Sequence, residues 1–388
     1  MVDSVTAVDK STVVFKLKAP SALFMYRMAD DYVLPIMPPE VEKNIDPTAT
    51  AVGTGPWIVD QVNRPTGFTL KRNPEWHLGP DRPYTDSREW IAIPDPANAL
   101  NQFKGGNLDL APVFGAKDVP GMKSAISGLK LGLGQAGTAM PYVAFSSLDA
   151  NAPWMKDVRV RYALSMSIDR NALWEYYYPA KDYTDAGLAA PKVQWHGILP
   201  TGLGPEYVDP QGSKFDASLK QYFEYSPDKA KALLAQAGYP DGVTVNYHYT
   251  TSYGAQFTAH AELVLQMLAK GGFKVKGVID DFQSVFIPKT FLKGEFDGLA
   301  QIYQGYGTSL EWLSGLYIPG SSRNQGHIDD SKLTDMIKKL NGELDVKARV
   351  AMLPDIVNYI AKNMYYVPGM LGAAPAMTAV RPNMHGVN

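Results

Sequence analysis

The residues of this chain that could do covalent or metal chemistry do not stand at spacings that would let them. Six histidines occupy positions 77, 196, 248, 260, 327 and 385, and none shows the H-x-x-x-H or H-E-x-x-H spacing that puts two imidazoles on one helix face. There is no cysteine, which removes thiolate nucleophiles, disulfides and cysteine metal sites together. The Gly-Thr-Gly run at 53–55 lacks the following Gly-Lys-Ser/Thr of a phosphate loop, and GLGPEY (202–207) follows no strand, as a dinucleotide fingerprint must. No G-x-S-x-G elbow is present. Asp280-Asp281 and Asp329-Asp330 are consecutive, so they point to opposite faces of a strand or cap a helix start rather than share a proton. The expectation is therefore no catalytic residue, no metal ligand set and no cofactor. What remains is recognition: 22 Tyr and 7 Trp supply rigid rings with a polar tip, suited to a pocket wall that gives apolar contact and a few hydrogen bonds.

Composition narrows the partners. With 388 residues the chain can build two or three cores, and 45% hydrophobic with 20% charged residues is ordinary for a globular protein. A net charge of -2 gives no footprint for nucleic acid or an anionic membrane. No apolar run reaches the roughly 18 residues needed to span a bilayer. The opening MVDSVTAVDKSTVVFKL has neither a basic n-region nor an apolar h-region, so it does not read as a signal peptide.

The elements that must position the rings are legible as an α/β alternation. Residues 12–18 alternate as a strand, 20–45 read as a proline-rich loop with one short helix, and VGTGPW (52–57) brackets a turn. Strands are expected at 67–73, 90–96 and 108–113, with a short helix before the Gly105-Gly106 stop. A strand at 141–149 precedes a helical stretch, 155–178, with a break near Asp169. Residues 179–213 show no periodicity. Helices follow at 226–239, where Ser226 is read as the N-cap and Pro227 as the first helical residue, then at 257–273 and 330–340. Strands are expected at 243–249 and 274–279. A last helix begins near Asp345, and Pro354 is expected to kink or restart it.

Nine of these segments, in this order, resemble the family 5 (peptide/nickel type) extracellular solute-binding proteins. They are VTAVDKSTVVFKLKAP (5–20), VGTGPWIV (52–59), LKRNPEWHLG (70–79), GGNLDLAP (105–112), YVAFSS with MKDVRVRYALSMSIDR (142–170), YSPDKAKALLAQAGYPDG (225–242), GEFDGL (294–299), NQGHIDDSKLTDMI (324–337) and RPNMHGV (381–387). The resemblance implies an α/β, two-lobed, type II periplasmic-binding-protein fold, here missing its N-terminal portion. It places residues 1–138 in part of the first lobe, 139–378 in the second lobe and 379–388 back in the first. It implies the substrate-binding component of an ABC importer, a monomer outside the cytoplasm, either periplasmic or lipid-anchored. Such a protein captures a peptide or peptide-like solute by hinge closure and hands it to the permease membrane subunits. An oligosaccharide-binding member and a sensory protein reusing the fold are the alternatives. Locally, Asp157 reads as a helix N-cap, and Arg159 and Arg161 as ion-pair partners on a buried face.

The resemblance also points to a site. Peptide-binding relatives hold the α-ammonium with an aspartate in the segment matching IYQGYGTSLEWL (302–313), where this chain has Ser309 with Glu311 two residues on. Dipeptide-specific relatives hold the α-carboxylate with an arginine in the segment matching YTTSYGAQF (249–257), and no arginine stands there. An unpaired buried charge is expensive, so a ligand with two charged ends should bind such a cleft poorly. The expected wall is Tyr253, Tyr303, Gln304, Tyr306, Ser309, Glu311 and Trp312.

Overall fold

The computed structural model describes residues 2–29, 37–46, 49–79, 81–111, 114–146, 153–369 and 375–385. In chain order, β1 (Val2–Ala7) and β2 (Val13–Leu17) form an antiparallel hairpin. The Asp9 carboxylate accepts from the Ser11 amide at 2.8 Å in its turn. Helix α1 (Leu23–Met28) follows. Strands β3 (Trp57–Asn63), β4 (Gly67–Arg72) and β5 (Ser87–Ile91) make a three-stranded antiparallel sheet in that order. Gly67 sits at φ +147, where an added Cβ would stand 1.9 Å from the Trp90 carbonyl oxygen, so this close strand approach requires glycine. Then come α2 (Pro96–Gly105), α3 (Val119–Ala125) and β6 (Lys130–Ala136).

Two differences from the sequence reading lie here. The strand expected at 90–96 runs Ser87–Ile91, because Pro94 and Pro96 cannot donate to a ladder and Asp95 instead caps α2, accepting from the Asn98 amide at 2.6 Å. The strand expected at 108–113 reduces to an isolated bridge between Leu110 and Val380, and residues 112–113 lie outside the described residues.

The remaining elements are β7 (Ala139–Phe145), α4 (Val158–Ser167), α5 (Arg170–Tyr177), α6 (Ala180–Asp185), α7 (Ala217–Lys220), α8 (Pro227–Gln236), β8 (Val243–Tyr249), α9 (Ala255–Lys270), β9 (Phe273–Ile279), β10 (Leu299–Gly305), α10 (Ser309–Tyr317), α11 (Ser331–Gly342), α12 (Val346–Asn363), β11 (Tyr366–Pro368) and β12 (Pro375–Val380). A π-type helix, Phe282–Phe291, lies between β9 and β10. Five strands form one mixed sheet in the order β11-β7-β10-β8-β9, with β8 parallel to β9 and β10, and β7 antiparallel to β10 and β11. β12 pairs with β6 in a separate ribbon.

The chain divides into two compact units. One comprises residues 24–132 and 378–388. Its core is Phe103, Val119 and Met122, and its tail is fixed by Arg381, which donates to the carbonyls of Leu108 at 3.1 Å and Phe103 at 2.6 Å. The other comprises residues 1–23 and 133–377. Residues 1–23, expected within 1–138, group with this larger unit. Ala22 and Leu23 are buried in its core, and the Ala22 amide donates to the Asn341 carbonyl at 2.8 Å.

Local signals explain most of the larger unit. The break near Asp169 is a cap: its carboxylate accepts from the Ala172 amide at 2.9 Å and starts α5. Asp157 caps α4 by accepting from the Arg159 amide at 2.9 Å. Of the two arginines expected as ion-pair partners on a buried face, Arg159 makes an ion pair but on an exposed face. Arg159 is solvent-facing, binds Asp157 at 2.6 Å and donates to the Gln236 carbonyl at 2.8 Å, tying α4 to α8. Arg161 is the more buried one and lies 5.9 Å from the Tyr365 ring centre. Ser226 precedes α8 without a side-chain cap bond, and its amide instead donates to the Met166 carbonyl at 2.8 Å. α12 continues through Pro354 without the restart that was one of the two expectations there, and Leu353, Ile356, Val357 and Ile360 around it are all buried.

Candidate functional site

The expected wall residues come from the end of β10, the start of α10 and the loop before α9, and they fall into two groups. In the first, Thr308 caps α10, its hydroxyl accepting from the Glu311 amide at 3.2 Å and lying 3.3 Å from Glu311 Oε2. The Glu311 carboxylate is thereby turned back on the first turn of its own helix. The Ser309 amide donates to Glu206 Oε2 at 2.7 Å, so a second carboxylate occupies the helix N-terminus, as the macrodipole favours. Both Ser309 and Glu311 are buried.

Trp312 corrects the expectation of an open wall. It is 1% exposed and packs edge-on against Tyr306 at 5.5 Å and Tyr142 at 6.4 Å. Its ring supports the unit's core and presents no face. Two polar costs accompany this packing. Trp312 Nε1 is buried without a hydrogen-bond partner, and Gln304 is buried with neither amide atom partnered. Tyr306 is half-buried against Gly315, where a Cβ would meet its hydroxyl at 2.8 Å.

The second group is accessible. Tyr253 is half-buried among Phe282 at 5.3 Å, Phe257 at 5.6 Å, Phe286 at 5.9 Å and Tyr303 at 6.3 Å. Tyr303, also half-buried, meets Phe257 edge-on at 4.5 Å. Tilted and edge-to-face contacts of this kind place the positive ring edge on a negative face, which fixes the side chains without further partners. The three phenylalanines come from α9 and the π-type helix, so Tyr253 and Tyr303 form the outer layer of a ring cluster rooted in the fold.

Arg323 adjoins this cluster, and the sequence reading missed it. Its guanidinium carbon lies 4.4 Å from the Phe291 ring centre. Phe291 stacks on Phe286 at 6.3 Å, and Phe286 touches Tyr253. The loop carrying it is pinned by Gln325, which accepts from the Tyr142 hydroxyl at 3.0 Å and donates to the Phe291 carbonyl at 2.9 Å. Arg323 lies outside the 249–257 segment in which relatives carry their arginine, 66 residues beyond its end (323 − 257). The only signal was an arginine among small polar residues in SSRNQG (321–326).

Of the histidines, His248 is held between Asp280 at 2.9 Å and Asp297 at 2.8 Å, and Asp280 also accepts from Thr290 at 2.7 Å. His260 is fully buried, stacked on Tyr177 at 5.9 Å, and burial lowers its imidazole to about 3, so it is neutral. Among the described residues no cluster of three His, Cys, Asp or Glu side chains is arranged to hold a metal ion.

With this geometry described, comparison with known proteins is direct. Residues 1–321 match the model of the bacterial extracellular solute-binding proteins, family 5 (middle), and the chain belongs to that family. It is 28% identical over 281 residues to a putative ABC transporter peptide-binding protein of Brucella ovis, covering 70% of this chain and 48% of that one. It is 26% identical over 275 residues to the glutathione-binding protein GsiB of Salmonella choleraesuis, covering 69% and 47%. The chain thus spans about half the length of these curated relatives. Among solved structures it is similar to the ABC transporter-associated periplasmic binding protein DppA of Helicobacter pylori in complex with peptide STSA. The TM-score is 0.77 at 20% identity, covering 99% of this chain and 71% of that one. The fold is the α/β type II periplasmic-binding-protein fold.

Proposed function

We propose that this chain is the substrate-binding component of an ABC importer, capturing a peptide or peptide-like solute outside the cytoplasm and delivering it to permease membrane subunits. Family membership and the relatives' own descriptions as peptide- and glutathione-binding proteins support this reading. The observation that carries it is the ring cluster: Tyr253 and Tyr303 are half-exposed on a base of Phe257, Phe282 and Phe286. Such a surface gives a solute apolar contact and hydroxyl partners at little ordering cost, because the rings are already fixed. Capture is by hinge closure, with no covalent step and no cofactor, and the protein acts as a monomer rather than as an enzyme.

A thermal-shift panel of di- to pentapeptides, glutathione and neutral oligosaccharides on the 388-residue chain tests this. A bound solute at 100 times its Kd stabilises by about 2.7 kcal/mol, a readily measured shift. Stabilisation by peptides and its loss in Tyr303→Ala, with the unliganded Tm kept, is the expected result. Stabilisation by saccharides alone would overturn the peptide assignment.

A further inference from the structure

We propose that Arg323 is an anion anchor, holding a carboxylate of the captured solute beside the Tyr253–Tyr303 wall. The inference rests on the solute-binding reading and adds the charge of the ligand. Three features carry it. First, Arg323 is half-buried, its Nη1 is closed off from solvent without a hydrogen bond, and among the described residues none makes an ion pair with the side chain. An unpartnered buried N–H carries a desolvation cost that a bound anion would relieve. Second, it rests on a ring. Its guanidinium carbon lies 4.4 Å from the Phe291 ring centre, and Gln325 ties the same loop to the Phe291 carbonyl at 2.9 Å. A guanidinium is a planar fork of N–H donors that a carboxylate fits bidentately. Third, it is continuous with the ring wall through Phe291, Phe286 and Tyr253. Burial raises the Tyr253 and Tyr142 hydroxyls, and Arg323 opposes that rise at both, so its charge is felt across the wall. Arg170 and Arg349 in this same unit donate to carbonyls.

On this reading the carboxylate partner of a short peptide, expected as missing or moved, is moved. The carboxylate partner comes from the 318–328 loop instead of the segment before α9.

The test pairs trialanine, trileucine and triserine with their C-terminal amides, measured by calorimetry on the wild-type chain and on Arg323→Gln and Arg323→Lys. The expected result has three parts. Wild type prefers each acid over its amide at least tenfold. Arg323→Gln loses that preference while keeping its affinity for the amides. Arg323→Lys recovers part of it, since an ammonium keeps the charge without the fork. A ligand-free readout runs alongside: Arg323→Gln removes an uncompensated charge, so its Tm stays at or above that of wild type. Equal binding of acids and amides, or an acid preference that survives in Arg323→Gln, overturns the anchor while leaving the solute-binding reading intact. A Tm several degrees lower in Arg323→Gln also overturns it, because the residue is then a structural pin. Binding of neither acids nor amides by wild type overturns the proposed function and the anchor with it.

Discussion

The two larger sheets of this molecule contrast in what they bury. In the five-stranded sheet of the larger unit, β7 is buried from Met140 to Phe145 and β8 alternates buried Val243, Val245, Tyr247 and Tyr249 with more open positions. Helix α9 packs on β8 and β9, and α4 on α8, α9 and β11, so the sheet lies inside helical layers. The three-stranded sheet of the smaller unit has no such cover among the described residues. Ile58, Val62, Phe68, Trp90 and Ile91 are exposed, and Phe68 and Trp90 stack on each other at 6.0 Å. A shallow apolar concavity of about 460 Å³ is lined by Val59, Val62, Phe68, Leu70 and Trp90. The smaller unit's core lies elsewhere, around Phe103, Val119 and Met122. Apolar patterning specifies which face of a strand seeks a partner. Whether that face is covered depends on the layer that packs on it.

The largest expected effect tests this contrast directly. Arg170 is fully buried and donates to the carbonyls of Phe223 at 2.8 Å, Ser165 at 3.2 Å and Pro368 at 3.1 Å, joining α4, the turn after α7 and β11. Arg170→Ala leaves a cavity and strips three acceptors of their donor, so a loss of about 3–5 kcal/mol is expected by denaturant unfolding. Phe68→Ala removes a larger ring from the exposed sheet and should cost about 1 kcal/mol or less, while lowering the binding of an apolar dye. Comparable losses for the two would break the comparison, because the exposed face would then be as well packed as the core.

The larger unit was also the more legible one, for the same reason. The stripe of SPDKAKALLAQAGY, the alternation of VTVNYHY and the cap at Asp169 each point to a single solution, because covered faces leave strict periodicity. β3 was passed over because WIVDQVN interrupts its apolar pattern with Asp60, Gln61 and Asn63. FQSVFIPKTF carries apolar residues on every side with Pro288 inside, and the π-type helix it forms has no sequence period to detect. The wall was half legible. Tyr253 and Tyr303 stand in the segments the resemblance indicated. The burial of Trp312 and the placing of Arg323 over Phe291 were not legible, because exposure and long-range contact are tertiary facts.

A smaller effect sharpens the account of the larger unit's rim. Burial pulls the His248 imidazole down, but hydrogen bonds to Asp280 and Asp297 outweigh it, and the net shift is upward from 6.5. Burial raises the Asp297 carboxyl, and bonds from His248 and Asn246 outweigh that, lowering it from 3.8. The signs follow from linkage. The His248 contribution is fully present below its unfolded value of 6.5 and is lost as pH rises through the higher folded value. The Asp297 contribution is present above 3.8 and is lost as pH falls through the lower folded value. His248→Gln should therefore cost about 1–2 kcal/mol at pH 5–6, where both charges are in place, with the more exposed Asp297 arm adding little. By pH 9 the gap between the variant and wild type should have narrowed. A gap constant from pH 5 to 9 in parallel chemical denaturation would mean that the histidine acts by packing alone.

The smallest expected effect separates the two ring groups. Trp312 and Tyr253 are both aromatic residues of the expected wall, yet one is sealed in the core and the other half-open. Trp312→Phe keeps an aromatic ring against Tyr306 and Tyr142 and deletes the buried Nε1–H that has no acceptor. The lost ring volume costs stability, and the removed orphan donor returns some, since an unsatisfied buried N–H costs about 1–3 kcal/mol. The two terms are of similar size and opposite sign, so the net change should stay within about 1 kcal/mol. Solute affinity should not change, because the ring has no face to offer. Tyr253→Phe is the matched control in the open group: it keeps the ring and removes only the hydroxyl at the wall surface. It should leave stability nearly unchanged and weaken any solute that hydrogen-bonds there. If calorimetry instead finds Trp312→Phe weakening solute binding and Tyr253→Phe silent, the two groups exchange roles, and the site lies behind α10 rather than over the Tyr253–Tyr303 rings.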